Sequence, residues 1–151
     1  MKKIENFIKH LECPLIDGII YSDHTMQLFD VQVSWKRPTE YKIQLSSITS
    51  IDNLGQEGKL GWVKCSISDE YIDETHSIKV VCGGASYGGD GFVSVVNLRK
   101  EKLIWLAFFT DSNPFYKITV VGKQIIAVST HECEWKFEID TPSQLSIVCA
   151  R

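Results

Sequence analysis

The sequence predicts an all-β, antiparallel fold: a meander or two-sheet sandwich with propeller-blade-like hairpins and one short N-terminal helix. Short apolar or alternating runs recur along the 151 residues, with a turn signal about every 8–12 residues. Strands do not alternate with helical periodicity, which argues against a parallel α/β sheet. In residues 81–121 a glycine-rich segment leads into three apolar runs bounded by turn residues. We interpret these runs as strands buried largely on both faces.

The first element is a helix predicted over residues 2–12. Ile4, Phe7, Ile8 and Leu11 repeat at the spacing of one helical face. Pro14 ends the pattern, because proline disfavours helical backbone at the residue before it. A helix this short is marginal in isolation, so we expect it to pack on the sheet.

Alternating and apolar runs predict about ten strands. The eleven runs from which this number is estimated cover, in chain order, residues 15–21, 26–35, 41–48, 60–67, 77–82, 92–96, 103–109, 115–121, 124–129, 133–139 and 144–149. The polar segments 52–59 and 68–75 are predicted as loops, the first because of its glycines and the second because of its carboxylates. All elements are expected to belong to one β-rich domain, residues 1–151, with the helix packed on it.

Two segments in the second half of the chain share an outline. Residues 77–109 and 116–139 each read as three strands joined by turns, with Trp105 and Trp135 in the third strand. A unit of about 30–40 residues is the size of a propeller blade. A closed propeller needs at least about four blades, and the N-terminal half does not show the pattern. A meander or sandwich is therefore favoured, and simple hairpin periodicity explains the likeness about as well.

Composition excludes several classes of protein. The net charge of −3 and the pI near 5.8 argue against a nucleic-acid partner, which requires clustered Lys and Arg. No apolar run approaches the length of about 20 residues that a membrane span needs, and charges interrupt the N-terminus where a signal peptide would be apolar. The five cysteines have no paired spacing, so we expect reduced thiols in a cytoplasmic protein.

The glycine-rich segment offers two catalytic readings, and its context supports neither. Residues 84–88 match the G-x-S-x-G pattern with Ser86 as nucleophile, and Asp111 and His131 follow in the order acid, histidine. The next predicted element is a strand, whereas hydrolases of this kind need a helix after the serine. A phosphate loop needs Lys and Ser/Thr after its second glycine, and the chain has Gly89 and Asp90 there. We interpret the segment as a hairpin loop.

Metal binding has little support in the sequence. His131 and Cys133 are the only closely spaced pair of ligand types, and a structural zinc site needs four. The sequence therefore predicts no catalytic residue, no metal and no cofactor.

The sharpest charge cluster is acidic and predicts a contact with a basic protein. Asp69, Glu70, Asp73 and Glu74 surround Tyr71 and Ile72, while Tyr87 and Asp90 lie in the glycine-rich loop. Carboxylates steer association with basic surfaces, and an aromatic beside glycine suits an interface. The predicted partner-binding residues are Asp69, Glu70, Asp73, Glu74, Tyr87 and Asp90. A solvated loop remains the alternative for the first four.

The four tryptophans allow a sugar-stacking face, but all four lie in apolar strands. Core packing is the preferred interpretation. A β module that binds sugar or peptide through exposed aromatics remains an alternative function.

Residues 88–115, GGDGFVSVVNLRKEKLIWLAFFTDSNPF, resemble segments of small bacterial immunity proteins from polymorphic-toxin and contact-dependent growth-inhibition systems. The resemblance implies a small, acidic, cytoplasmic domain that binds one cognate toxin domain and blocks its active site or substrate path. It implies a non-enzymatic toxin inhibitor, with a basic, nuclease-like toxin as partner and neither nucleic acid nor membrane bound. A ligand-binding module and a small serine hydrolase using Ser86 and His131 are the competing hypotheses.

Overall fold

Two antiparallel β-sheets dominate the computed structural model, which describes residues 5–85 and 88–150. The described helices are α1 (Glu5–His10) and α2 (Ile51–Gln56). The strands are β1 (Glu12–Pro14), β2 (Gly18–Tyr21), β3 (Thr25–Ser34), β4 (Glu40–Ser50), β5 (Trp62–Asp73), β6 (Ile78–Ala85), β7 (Gly91–Asn97), β8 (Lys102–Phe109), β9 (Phe115–Val121), β10 (Gln124–Ser129), β11 (Cys133–Glu138) and β12 (Ser146–Cys149). The all-β prediction is confirmed.

The large sheet has eight strands in the order β1-β5-β6-β7-β8-β2-β3-β4, and the small sheet has four in the order β12-β11-β10-β9. The two segments with a shared outline become β6-β7-β8 and β9-β10-β11, one meander in each sheet. Their third-strand tryptophans, Trp105 and Trp135, both belong to the core between the sheets. The likeness therefore reflects two hairpin meanders that face each other.

Each face of the large sheet is covered by a separate hydrophobic core. One core joins the two sheets through residues such as Val93, Phe109 and Trp135, and the other lies beneath α1 and α2. Strands β7 and β8 are covered on both sides, which explains their continuous apolar sequence. Strand β9 is an edge strand in which only Phe115 and Ile118 are buried, so the prediction of burial on both faces is wrong for it.

Helix α1 ends at His10, two residues before the predicted end. Leu11 has a φ of 51°, and its N–H donates to the carbonyl of Phe7 at 2.9 Å. Pairing of β1 with β5 places Cys13 opposite Val63, so the chain continues as an edge strand that the sequence did not reveal. Phe7 is buried against Phe92, with ring centroids 5.4 Å apart, which confirms that the helix packs on the sheet.

Helix α2 occupies the segment predicted as a glycine-rich loop, so that prediction is wrong. The Ser50 hydroxyl accepts a hydrogen bond from the N–H of Asn53 at 3.1 Å and caps the helix. Ile51 is buried in the core beneath the helix, and Gly58, with a φ of 69°, follows the last turn. The Ser50 cap and the acidic Asp52 in the first turn were the local signals for this helix.

Strand β5 runs through the acidic segment 68–75, which the sequence predicted as a loop. The strand continues to Asp73 and pairs with β6 from Cys65 onward, with Glu70 opposite Val81 and Ile72 opposite Lys79. A register shift between Ile67 and Asp69 marks a bulge that hides the alternation from a reading of the sequence. Pairing in the hairpin outweighs the low strand propensity of the carboxylates.

A disulfide joins Cys133 to Cys149, so the expectation that all five cysteines are reduced is wrong. The pairing of β11 with β12 places these two residues directly opposite each other, a proximity that their spacing in sequence does not show. Cys65 and Cys82, whose apolar strands predict small core residues, are free and buried, as is Cys13. The same interpretation is wrong for Cys149, which forms the bridge.

We expect Cys149→Ser to lower the free energy of unfolding by about 3 kcal/mol, because the bridge closes a loop with a sequence separation of 16. Denaturant unfolding of the wild type with and without reductant should show the same loss. The variant, which has no bridge to reduce, is the control and should not respond to reductant. An unchanged wild-type midpoint after complete reduction would contradict the expectation.

Candidate functional site

Asp69, the first predicted contact residue, is used by the fold. One carboxylate oxygen of Asp69 accepts a hydrogen bond from the N–H of Ile118 at 2.9 Å, and the other accepts from the N–H of Glu70 at 2.9 Å. Ile118 lies in β9, the edge strand of the small sheet. Asp69 thus links β5 to the other sheet, and its side chain is not free to meet a partner.

Asp73 is held within the hairpin turn. Its carboxylate lies 2.7 Å from Nδ1 of His76 and accepts from the backbone N–H of the same residue at 3.2 Å. These hydrogen bonds from His76 hold the pKa of Asp73 below its ordinary value. Asp73 thus shapes the turn between β5 and β6, and both of its carboxylate oxygens are already hydrogen-bonded within that turn.

Four neighbouring residues are exposed and form what we term the β5 surface: Glu70, Tyr71, Ile72 and Glu74. Tyr71 is 41% exposed and Ile72 is 54% exposed. Glu70 and Ile72 lie opposite Val81 and Lys79, whereas Tyr71 lies opposite Val80, so the surface wraps around both faces of the strand. Tyr71 and Ile72 therefore present large hydrophobic side chains on opposite faces of the same strand, with Glu70 before them and Glu74 after them along the chain.

An apolar groove of about 240 Å³ lies on the α1 side of β5. Its apolar lining includes Phe7, Leu11, Ile67, Val81, Val96 and Leu98. Ile67 belongs to β5, and Lys79, the cross-strand neighbour of Ile72, also lines the groove. The groove therefore extends the apolar part of the β5 surface.

Asp90 is buried, in contrast to the exposed loop position expected for it. It is 3% exposed, and its carboxylate accepts a hydrogen bond from the N–H of Ala85 at 3.2 Å. Burial raises the pKa of Asp90, partly offset by this hydrogen bond. Asp90 thus ties the end of β6 to the start of β7. Tyr87 and Ser86 lie outside the described residues.

We expect Asp90→Asn to be more stable than the wild type at neutral pH. The pKa of Asp90 in the folded chain lies above its ordinary value of 3.8, so ionisation costs stability as the pH rises through that folded value. The amide removes this cost and keeps an oxygen for Ala85. Thermal unfolding across pH should show the gain shrinking as the pH falls towards 3.8. Asp30→Asn, at an exposed position, is the control, and a less stable Asp90→Asn would contradict the expectation.

A second feature is a polar cleft of about 250 Å³ between the two sheets, which we term the Trp35 cleft. Its lining residues come from the β3–β4 loop, the β10–β11 turn and the end of the chain: Trp35, Arg37, Thr39, Thr130, His131, Glu132 and Ala150. Trp35 is 47% exposed, so the core interpretation is wrong for this tryptophan. It holds for Trp105 and Trp135, which are fully buried.

His131, in the β10–β11 turn, connects that turn to the β3–β4 loop on the other side of the Trp35 cleft. Its Nε2 lies 2.9 Å from the hydroxyl of Thr39, a buried residue 92 positions away in sequence. The imidazole packs edge-to-face on the indole of Trp35, with ring centroids 5.0 Å apart. The sequence singled out His131 for hydrolase or zinc chemistry, but it gave no signal for Thr39 and Arg37.

The described residues provide no further support for catalysis or metal binding. Strand β7, and not the helix that a serine hydrolase needs, follows the glycine-rich segment. Asp111, the candidate acid, accepts a hydrogen bond from the Tyr41 hydroxyl at 2.8 Å through its backbone carbonyl. Within residues 5–85 and 88–150, no group of three or more His, Cys, Asp or Glu side chains is arranged to hold a metal ion. Among the described helices, none is long and apolar enough to cross a membrane.

Comparison with protein-family models, with curated proteins and with solved structures finds no match. The β5 surface and the Trp35 cleft are therefore the two features of the chain from which we infer its function.

Proposed function

We propose that the protein is a non-enzymatic binding protein that holds a basic protein partner at the β5 surface. The observation that supports this function best is the joint exposure of Tyr71 and Ile72 between Glu70 and Glu74. Neither of these two carboxylates forms an ion pair with a basic side chain of the described residues.

The two kinds of side chain would serve different steps of binding. Tyr71 and Ile72 supply apolar area that a partner can bury, and tyrosine is among the residues that contribute most at interfaces. Glu70 and Glu74 attract a basic surface over a distance of about 8–10 Å at moderate salt and accelerate the encounter. The net charge of −3 acts in the same direction.

The partner that we propose is a toxin domain, in keeping with the resemblance of residues 88–115 to bacterial immunity proteins. Binding would block the toxin by steric occlusion of its active site or substrate path, with a basic, nuclease-like surface facing Glu70 and Glu74. No chemistry on the toxin is required. We place this function in the cytoplasm, although a disulfide such as Cys133–Cys149 is more typical of oxidising compartments.

The proposal is tested by co-expression with the product of the adjacent upstream gene, which the proposed function requires to be a toxin. We expect a stable complex on size-exclusion chromatography and loss of toxin activity in the complex. The absence of a complex at micromolar concentrations would overturn the proposed function.

Charge reversal tests where the partner binds. We expect Glu70→Lys/Glu74→Lys to weaken the complex at least about tenfold, equivalent to about 1.4 kcal/mol, because both side chains would then repel a basic surface. The loss should shrink at high salt. Glu134→Lys, an exposed glutamate in a strand of the small sheet, is the matched control and should bind like the wild type. Equal affinity of all three proteins would contradict the assignment of the β5 surface.

A further inference from the structure

The Trp35 cleft shares no residue with the β5 surface, and we infer that it binds one ring of a neutral saccharide. This inference goes beyond the proposed function and does not depend on it. It is based on three properties of the cleft: one fixed aromatic wall, polar walls of mixed charge, and a small volume.

The aromatic wall is the indole of Trp35. The half-exposed indole contacts His131 at 5.0 Å and Tyr41 at 6.1 Å between ring centroids, both edge-to-face. Two aromatic neighbours hold the ring in place while leaving part of it open. The electron-rich face of an indole attracts the weakly positive C–H groups on the flat side of a sugar ring.

The polar walls contain hydrogen-bond donors and acceptors, and they include one positively and one negatively charged side chain. Arg37 and Glu132 both line the cleft, together with Thr39 and His131. An anion attracted by Arg37 would be repelled by Glu132. A cation attracted by Glu132 would be repelled by Arg37 in the same way. A neutral ligand whose hydroxyl groups both donate and accept can satisfy the guanidinium and the carboxylate together.

The size and rigidity of the cleft favour a single ring. Its volume of about 250 Å³ is just below the range of about 300–1,000 Å³ that is usual for drug-sized ligands. The wall that carries Glu132 is held by a hydrogen bond from the N–H of Ala150 to the Glu132 carbonyl at 3.1 Å. The Cys133–Cys149 disulfide lies directly beside both residues. A preformed cleft loses little entropy when a ligand is bound.

The test begins with a printed array of neutral and acidic oligosaccharides probed with the full-length chain. Any saccharide that binds is then titrated as the free sugar by calorimetry. We expect a neutral saccharide to bind with a dissociation constant on the order of 1 mM or lower. Failure to bind any neutral saccharide at millimolar concentration would overturn the inference, as would a preference for acidic saccharides.

Variants locate the site. Trp35→Ala should reduce the affinity at least about tenfold, and Arg37→Ala should reduce it several-fold, so the test survives if one variant fails to fold. Tyr116→Ala, at an exposed aromatic of β9, is the matched control and should bind normally. Unchanged binding by both cleft variants would overturn the assignment to the cleft. The Glu70→Lys/Glu74→Lys protein should bind saccharide normally, so failure here is distinguishable from failure at the β5 surface.

Discussion

Replacing Trp135 with alanine is expected to lower the free energy of unfolding by about 3–5 kcal/mol. Trp135 is fully buried in the core that joins the two sheets. Its ring lies 4.8 Å from Phe109, 5.2 Å from Tyr41 and 5.6 Å from Phe115, between centroids. Phe109 and Tyr41 belong to strands β8 and β4 of the large sheet, and Phe115 belongs to β9 of the small sheet. The cavity left by alanine would therefore lie between the two sheets.

The loss would arise from packing, because the indole N–H of Trp135 has no hydrogen-bond partner among the described residues. Chemical denaturation monitored by circular dichroism measures it. Trp35→Ala is the matched control, since the same residue type is removed from a half-exposed position, and its cost should stay below about 1 kcal/mol. Equal losses for the two variants would contradict the described core.

The second substitution with a large expected effect is Gly83→Ala, which should lower the free energy of unfolding by about 3 kcal/mol or more. A Cβ atom at Gly83 would overlap the backbone carbonyl oxygen of Ser66 and would lie 3.0 Å from the ring of Phe92. The first contact is with backbone of the paired strand β5, so it cannot be relieved by a side-chain rotation. Strands β5 and β6 would have to separate locally, in the hairpin that carries the β5 surface.

Gly55→Ala is the matched control for this prediction. Gly55 lies inside α2, and a Cβ atom there would meet nothing within 4 Å. The substitution should therefore stabilise the protein by up to about 1 kcal/mol through helix propensity. Paired thermal and denaturant unfolding of the two variants should show shifts of opposite sign. A neutral Gly83→Ala would contradict the close approach of β5 and β6.

Much of the strand architecture is predictable from local patterns. Predicted and observed strand ends agree within about three residues for nearly every strand, since turn residues and alternation report directly on hairpins. The errors have local causes: the bulge between Ile67 and Asp69 hid the second half of β5, and the glycines near Ser50 hid α2. The three-residue strand β1 exists only because β5 pairs with it.

The candidate sites were predictable only in part. The exposed acidic and hydrophobic side chains of the β5 surface stand together in sequence, so their cluster was visible. The inward roles of Asp69 and Asp90 depend on partners in other strands. The Trp35 cleft joins Thr39 to His131 across 92 residues, and no local pattern reports such a contact. The Cys133–Cys149 bridge was hidden for the same reason.

The most direct test of partner binding at the β5 surface is the dissociation constant of the complex after its hydrophobic side chains are truncated. Titration calorimetry with the proposed toxin partner would compare the wild type, Tyr71→Ala/Ile72→Ala and the control Tyr116→Ala. We expect a loss of at least about 2 kcal/mol for the double variant, roughly thirtyfold in affinity, and none for the control. A complex that forms with wild-type affinity in the double variant would contradict this expectation.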